Sequence, residues 1–161
     1  MDIFQYLGSQ ITKDGGAQMD VKSRIQKARQ AFEMLINIWK SPQISKNLKL
    51  KIYKSNVKSV LLYGCETWKT TKALNNDLQV FQNKCLRKIL RIWWPQKVPN
   101  ETICCITGMP KIEYEMRKRK WGWMGHVLRM ETSEIPIHAM DWNPPGSRKL
   151  VALKQLGDEP S

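Results

Sequence analysis

The sequence predicts a mainly α fold: a helical bundle of about four helices with a short N-terminal β segment and a loose C-terminal tail. Three observations carry that expectation. Apolar residues recur at steps of three and four through much of residues 17–131, β-formers and turn residues crowd the first 16, and prolines gather after residue 132. The domain organisation that follows is a strand-and-turn piece at 1–16, a helical region at 17–131 and a Pro-rich, mostly irregular tail at 132–161.

Ile3, Phe4, Tyr6, Leu7 and Ile11 favour extended backbone, and Lys13-Asp14-Gly15-Gly16 supplies turn chemistry, so a short strand or half a hairpin is expected there. Such a piece is marginal alone and wants a sheet or a partner to join. Between Ala17 and Lys40, Val21, Ile25, Ala28, Phe32, Leu35, Ile36 and Trp39 form one helical stripe, and Ser41-Pro42 stops it. Ser45 is placed to cap a second helix, Lys46 to Tyr63, with Gly64 at its end. The third runs from Asn75 to Trp93, burying Leu78, Phe81, Cys85, Ile89 and Ile92, and Trp94-Pro95 ends it. A short helix follows at 100–107, then a Gly108-Met109-Pro110 break, then a last helix from Lys111 to Met130.

The charge is lopsided. Of 161 residues, 27 are Lys or Arg and 14 are Asp or Glu, a formal net charge of +13. Such a balance favours polyanions by Coulomb attraction and counterion release, so RNA or DNA, bound non-specifically through backbone phosphates, heads the expected partners. No apolar run is long enough to span a membrane, and the N-terminus lacks the pattern of a secretory signal, so an intracellular protein, nuclear or cytoplasmic, is expected. Cys65, Cys85, Cys104 and Cys105 show no framework spacing, which fits reduced thiols.

No enzyme chemistry is legible. Polymerase or nuclease catalysis needs several carboxylates held around divalent metals, and the acidic residues here are dispersed. The cysteines and two histidines lack zinc-ligand spacing, and no glycine-rich phosphate loop occurs. No catalytic residue, metal or cofactor is therefore expected. The binding features are stronger. Lys84, Arg87, Lys88 and Arg91 form one basic stripe, and Lys51, Lys54 and Lys58 a second, with no acid between Lys40 and Cys65. Lys118, Arg119, Lys120 and Arg129 are interleaved with Trp121, Trp123 and His126, a mixture suited to phosphate neutralisation and base stacking. Solvated helix faces and core tryptophans are the competing explanation. Trp121 and Trp123 are two residues apart, so one helix cannot bury both equally.

Five phrases, in order, resemble the C-terminal part of reverse transcriptases from non-LTR (LINE-type) retrotransposons, especially RTE- and jockey-like elements. They are Phe4-Gln5-Tyr6-Leu7-Gly8; Arg24-Ile25 with Lys27-Ala28 and Phe32; Leu61-Leu62-Tyr63-Gly64-Cys65-Glu66-Thr67-Trp68; Phe81-Gln82 with Lys84-Cys85-Leu86-Arg87 and Ile89-Leu90; and Arg119 to Met130, including Trp121-Gly122-Trp123-Met124-Gly125-His126. The resemblance implies a polymerase thumb and post-thumb region whose helices contact a template-primer duplex or element RNA. It also implies that the opening strand is a palm edge, exposed for a protein partner. The family's catalytic Asp-Asp motif is absent. The sequence leaves the family pattern after Lys149, so a truncated remnant is expected, with a protein-interaction module or a functionless relic as alternatives.

Overall fold

The structure, a computed structural model, describes residues 3–6, 9–12 and 17–130. It is mainly helical, with seven α-helices, one π-helical stretch and one 3-10 turn among the described residues rather than about four helices. Ile3–Tyr6 (β1) and Ser9–Thr12 (β2) pair antiparallel, with Ile3 opposite Thr12 and Tyr6 opposite Ser9. The tail expected from residue 132 lies outside the described residues, as do Leu7 and Gly8 of the opening phrase.

The single helix expected between Ala17 and Lys40 is two, Ala17–Met34 (α1) and Ile36–Lys40 (α2). The break at Leu35 has a local cause. The Phe32 carbonyl accepts from the Leu35 N–H at 3.3 Å and from the Trp39 indole N–H at 2.8 Å. A buried indole needs such an acceptor, and taking it from the helix interior bends the ladder. The Phe32 and Trp39 rings stack with centroids 5.0 Å apart. The α2 end follows the sequence: Ser41 is extended at ψ 128°, as its following proline demands.

Ser45 caps Lys46–Ile52 (α3) by accepting from the Leu48 N–H at 3.3 Å. The rod then widens into a π-helical stretch, Tyr53–Lys58, before Ser59–Leu61 (α4). Polar side chains compete here for backbone carbonyls: Ser55 donates to Lys51 and Ile52, and Asn56 to Ile52. Gly64, at φ 74°, makes the left-handed turn that ends the rod and leads into a 3-10 turn, Cys65–Thr67.

Lys72–Leu90 (α5) is the central helix. It starts three residues earlier than expected, because Thr71 caps it by accepting from the Leu74 N–H. It also ends earlier, at Arg91 rather than Trp94-Pro95. Arg91 adopts φ 57°, its N–H bonds the Lys88 carbonyl, and the Ile92 N–H reaches back to Arg87 at 3.0 Å. That bond pair is a Schellman closure, with arginine where glycine is usual. Leu78, Leu86 and Ile89 are buried in the same core cluster as Tyr53, Val57 and Leu61 of the preceding rod. Each fully buried aliphatic side chain of this kind contributes about 1.5–3 kcal/mol.

Asn100–Thr107 (α6) stops at Gly108, φ 60°, as expected, and Ile112–Val127 (α7) follows. Two side-chain amides of α5, Gln79 half-buried and Gln82 buried, hold the start of α7. Gln79 accepts from the Ile112 N–H at 2.9 Å, and Gln82 donates to the Pro110 carbonyl at 3.1 Å. The chain divides into two compact units, residues 1–124 and 125–161. The described part of the second is residues 125–130, the last turn of α7 and a turn in which Arg129 N–H bonds His126.

Candidate nucleic-acid interface

The stripe Lys51, Lys54 and Lys58 does not survive folding intact. Lys51 and Lys54 are exposed, but the Lys58 side chain is only 4% exposed and pairs with Glu115 of α7. The reason is the π-helical stretch. Its bonds skip one more residue than an α-helix, so it turns fewer degrees per residue, and Lys58 at its end departs from the face that an α-helix would give it. Burial lowers the Lys58 pKa, the Glu115 carboxylate opposes that fall, and Lys54 and Arg119 add to it.

The α5 stripe divides into structural and available groups. Lys84 and Lys88 are exposed. Arg87 is half-buried and donates to Val98 at 2.8 Å and Asn100 at 2.9 Å, tying α5 to the segment before α6. Arg91 is exposed and donates one bond to the Lys40 carbonyl at the end of α2. A guanidinium has five N–H donors, so most of its capacity remains.

That contact closes a groove of roughly 280 Å³ lined by Ile36, Trp39, Lys40, Lys88, Arg91 and Trp93. Lys88 also sits over the Phe32 ring, 5.8 Å from its centroid. The groove lies where two helices end, and its cations complement the carbonyl ends of α2 and α5. Beneath it, Lys49 is buried and donates to the carbonyls of Trp39 at 3.0 Å and Ser41 at 2.6 Å. Burial and then the Arg91 charge push its pKa down. Two features here escaped the sequence reading: Lys40 and Trp93 belong with Lys88 and Arg91, and Lys49 is a buried cap. The only available signal was Trp93-Trp94-Pro95 directly after a basic helix.

On α7, Arg119 and Lys120 are half-buried and structural, donating to the carbonyls of Leu62 and Trp68. Lys118 is exposed, and Arg117 pairs with Glu113 at 3.0 Å. Trp121 is 68% exposed and Trp123 45%, so neither is a core anchor. His126 and Arg129, in the second unit, are exposed.

The phrases that carry the family resemblance are chiefly packing devices. Arg24 lies over the Tyr63 ring, 4.4 Å from its centroid, and Trp68 donates to Asp20 at 2.7 Å. Cys65 and Cys85 are buried, which pushes their thiols up to about 11 and about 12; near Cys85, Lys88 and Arg29 work against the rise. Such thiols are unreactive near neutral pH. A second cleft, of roughly 520 Å³, is lined by the amides of Asn75, Asn76, Gln79, Asn83 and Asn100 with Glu101 and Glu113. Its acids make it a poor phosphate site. Among the described residues no group of three or more His, Cys, Asp or Glu could hold a metal ion, and no helix is long and apolar enough to cross a membrane.

The fold and groove define a basic, helical protein with cations gathered beside an exposed indole. Residues 31–63 match a family described as a domain of unknown function (DUF6451). That span includes Phe32, Trp39, Lys49 and Lys58, the residues that break α1 from α2 and pin the following rod. The chain is also similar to an uncharacterized transposon-derived protein, F52C9.6, of Caenorhabditis elegans: 26% identical over 148 residues, covering 89% of this chain. The chain spans about half (53%) of that relative's length. No solved structure matches the chain.

Proposed function

We propose that the chain is the thumb and post-thumb portion of a non-LTR retrotransposon reverse transcriptase and binds nucleic acid through backbone phosphates at the α2–α5 groove. Similarity to a transposon-derived protein and the five ordered phrases support the origin. The observation that carries the binding is the convergence of Lys40, Lys88 and Arg91 on one groove whose lining contains no acid. Lys84 extends the surface along α5, and Lys51, Lys54 and Lys118 add exposed charge elsewhere. Phosphate contacts of this kind position a nucleic acid without reading its sequence. No catalytic step is assigned to these residues.

The test is fluorescence anisotropy with an RNA–DNA hybrid, duplex DNA and single-stranded RNA across a salt series. Binding should weaken steeply with salt, with a slope of about 0.9 per duplex phosphate neutralised. Absence of binding at low salt, with the protein folded by circular dichroism, would remove the reading. A second reading, a protein-docking module, is favoured by Tyr114 and Trp121, both exposed on α7. It predicts concentration-dependent association that is lost on Trp121→Ala and indifferent to the groove cations.

A further inference from the structure

Trp93 is 58% exposed and Trp94 91% exposed, directly after the α5 Schellman closure. Local contacts hold the turn that carries them. Arg91 turns the chain out of the helix, Ile92 packs half-buried against the core, and the Gln96 N–H closes a turn onto the Trp93 carbonyl at 2.9 Å. An indole presented on so defined a turn loses little freedom when a flat partner stacks on it. Trp39, the other groove indole, is buried with its N–H satisfied and serves as wall, not platform. Trp93 therefore offers a largely exposed indole beside three cations.

We infer that the groove selects single-stranded nucleic acid, an unpaired base stacking on Trp93 while Lys40, Lys88 and Arg91 hold the adjoining phosphates. This rests on the proposed nucleic-acid binding and adds the strand type. Charge complementarity favours that occupant over an apolar protein segment, because half of the six lining residues are cationic. The exposed indoles favour a single strand over a duplex, because bases within a duplex already stack on one another and present no free face. Trp94 stands next along the same turn and can take a second base.

The experiment measures affinity of the full chain for a short single-stranded oligonucleotide and for the duplex made from it, across salt. Variants are Trp93→Ala, Trp93→Phe and Trp94→Ala, with thermal melting as the folding control. Trp93→Ala should weaken single-strand binding roughly tenfold, the loss of one stacked base, and leave the salt slope unchanged. Duplex affinity should stay within about twofold, and Trp93→Phe should recover most of the loss because a ring remains. Trp94 is almost wholly exposed, so Trp94→Ala cannot act through packing, and a smaller single-strand loss is expected there. Equal losses for both strand types, or no loss in either, would overturn the inference while leaving general phosphate binding intact. Wild-type protein that binds neither probe would overturn both.

Discussion

Removing Glu115 should cost far more stability than removing its partner. The Lys58 side chain is 4% exposed, whereas that of Glu115 is 28% exposed. Glu115→Ala strands a buried ammonium beside Lys54 and Arg119, the two cations that already disfavour its charge. Stranding one member of a buried pair costs about 3–5 kcal/mol, and partial access to water places this case near the lower end, about 3 kcal/mol. For a chain of this size that is a fall in Tm of roughly 6–12 °C. Lys58→Met leaves a carboxylate that water reaches and fills the space with an unbranched apolar side chain, so about 1 kcal/mol is expected. The sign with pH follows from Lys58. In Glu115→Ala its folded-state pKa, already lowered by burial, loses the support of the carboxylate and falls further. Between that lowered value and the unfolded value of 10.5 the unfolded chain binds more protons, so stability rises with pH. The deficit of Glu115→Ala should therefore shrink on going from neutral to alkaline buffer. Urea unfolding at several pH values measures both effects. A Glu115→Ala cost below about 1 kcal/mol, or a larger cost for Lys58→Met, would refute the buried pair.

Trp39→Phe keeps the ring but leaves the Phe32 carbonyl without its indole donor, and should cost about 1–2 kcal/mol by urea unfolding. Arg91→Gly removes a bond to α2 and relieves a left-handed arginine, two effects of about 1 kcal/mol and opposite sign, so Tm should barely move while nucleic-acid affinity falls. Native protein treated with iodoacetamide near neutral pH should be labelled at Cys105 and Cys104 and spared at Cys65 and Cys85, as read by peptide mass spectrometry. The two buried thiols have raised pKa values, so they stabilise the fold below 9, and that stability is lost as pH rises through about 11 and about 12. Chemical unfolding at stepped alkaline pH should show this decline, and substituting Ala for both cysteines should flatten it.

Much of the helical frame was legible because it depends on local patterns. Val21, Ala28 and Phe32, or Leu78, Phe81, Cys85 and Ile89, keep their spacing whatever they pack against, and all are buried. Ser45 starts a helix and Gly108 stops one by chemistry within a few residues of themselves. The breaks were harder. Leu35 leaves the helix because the Trp39 indole takes a carbonyl, and the π-helical stretch arises where Ser55 and Asn56 do the same. Neither event changes the apolar periodicity.

The basic residues were legible as a class but not individually. A lysine's step along a helix does not reveal which carbonyl or carboxylate another element will bring to it. Thus Lys58, Arg87, Arg119 and Lys120, grouped with the binding residues by spacing, are pins between segments. Lys40 and Lys88 become neighbours only because the end of α2 packs beside the end of α5. Trp93 joins them because the helix stops at Arg91, a position whose left-handed geometry arginine does not announce.

The most direct measurement compares two neutralised triples in the same salt series. One carries Lys40→Gln, Lys88→Gln and Arg91→Gly; the other carries Lys51→Gln, Lys54→Gln and Lys118→Gln, all exposed and all away from the groove lining. Both lose the same net charge, so long-range attraction falls equally and only local contacts differ. The groove triple should lower the salt slope by about 2–3 and weaken binding much more than the other triple. Equal losses from the two triples, in proteins that melt like the parent, would mean that diffuse charge binds nucleic acid and that the groove is not its site.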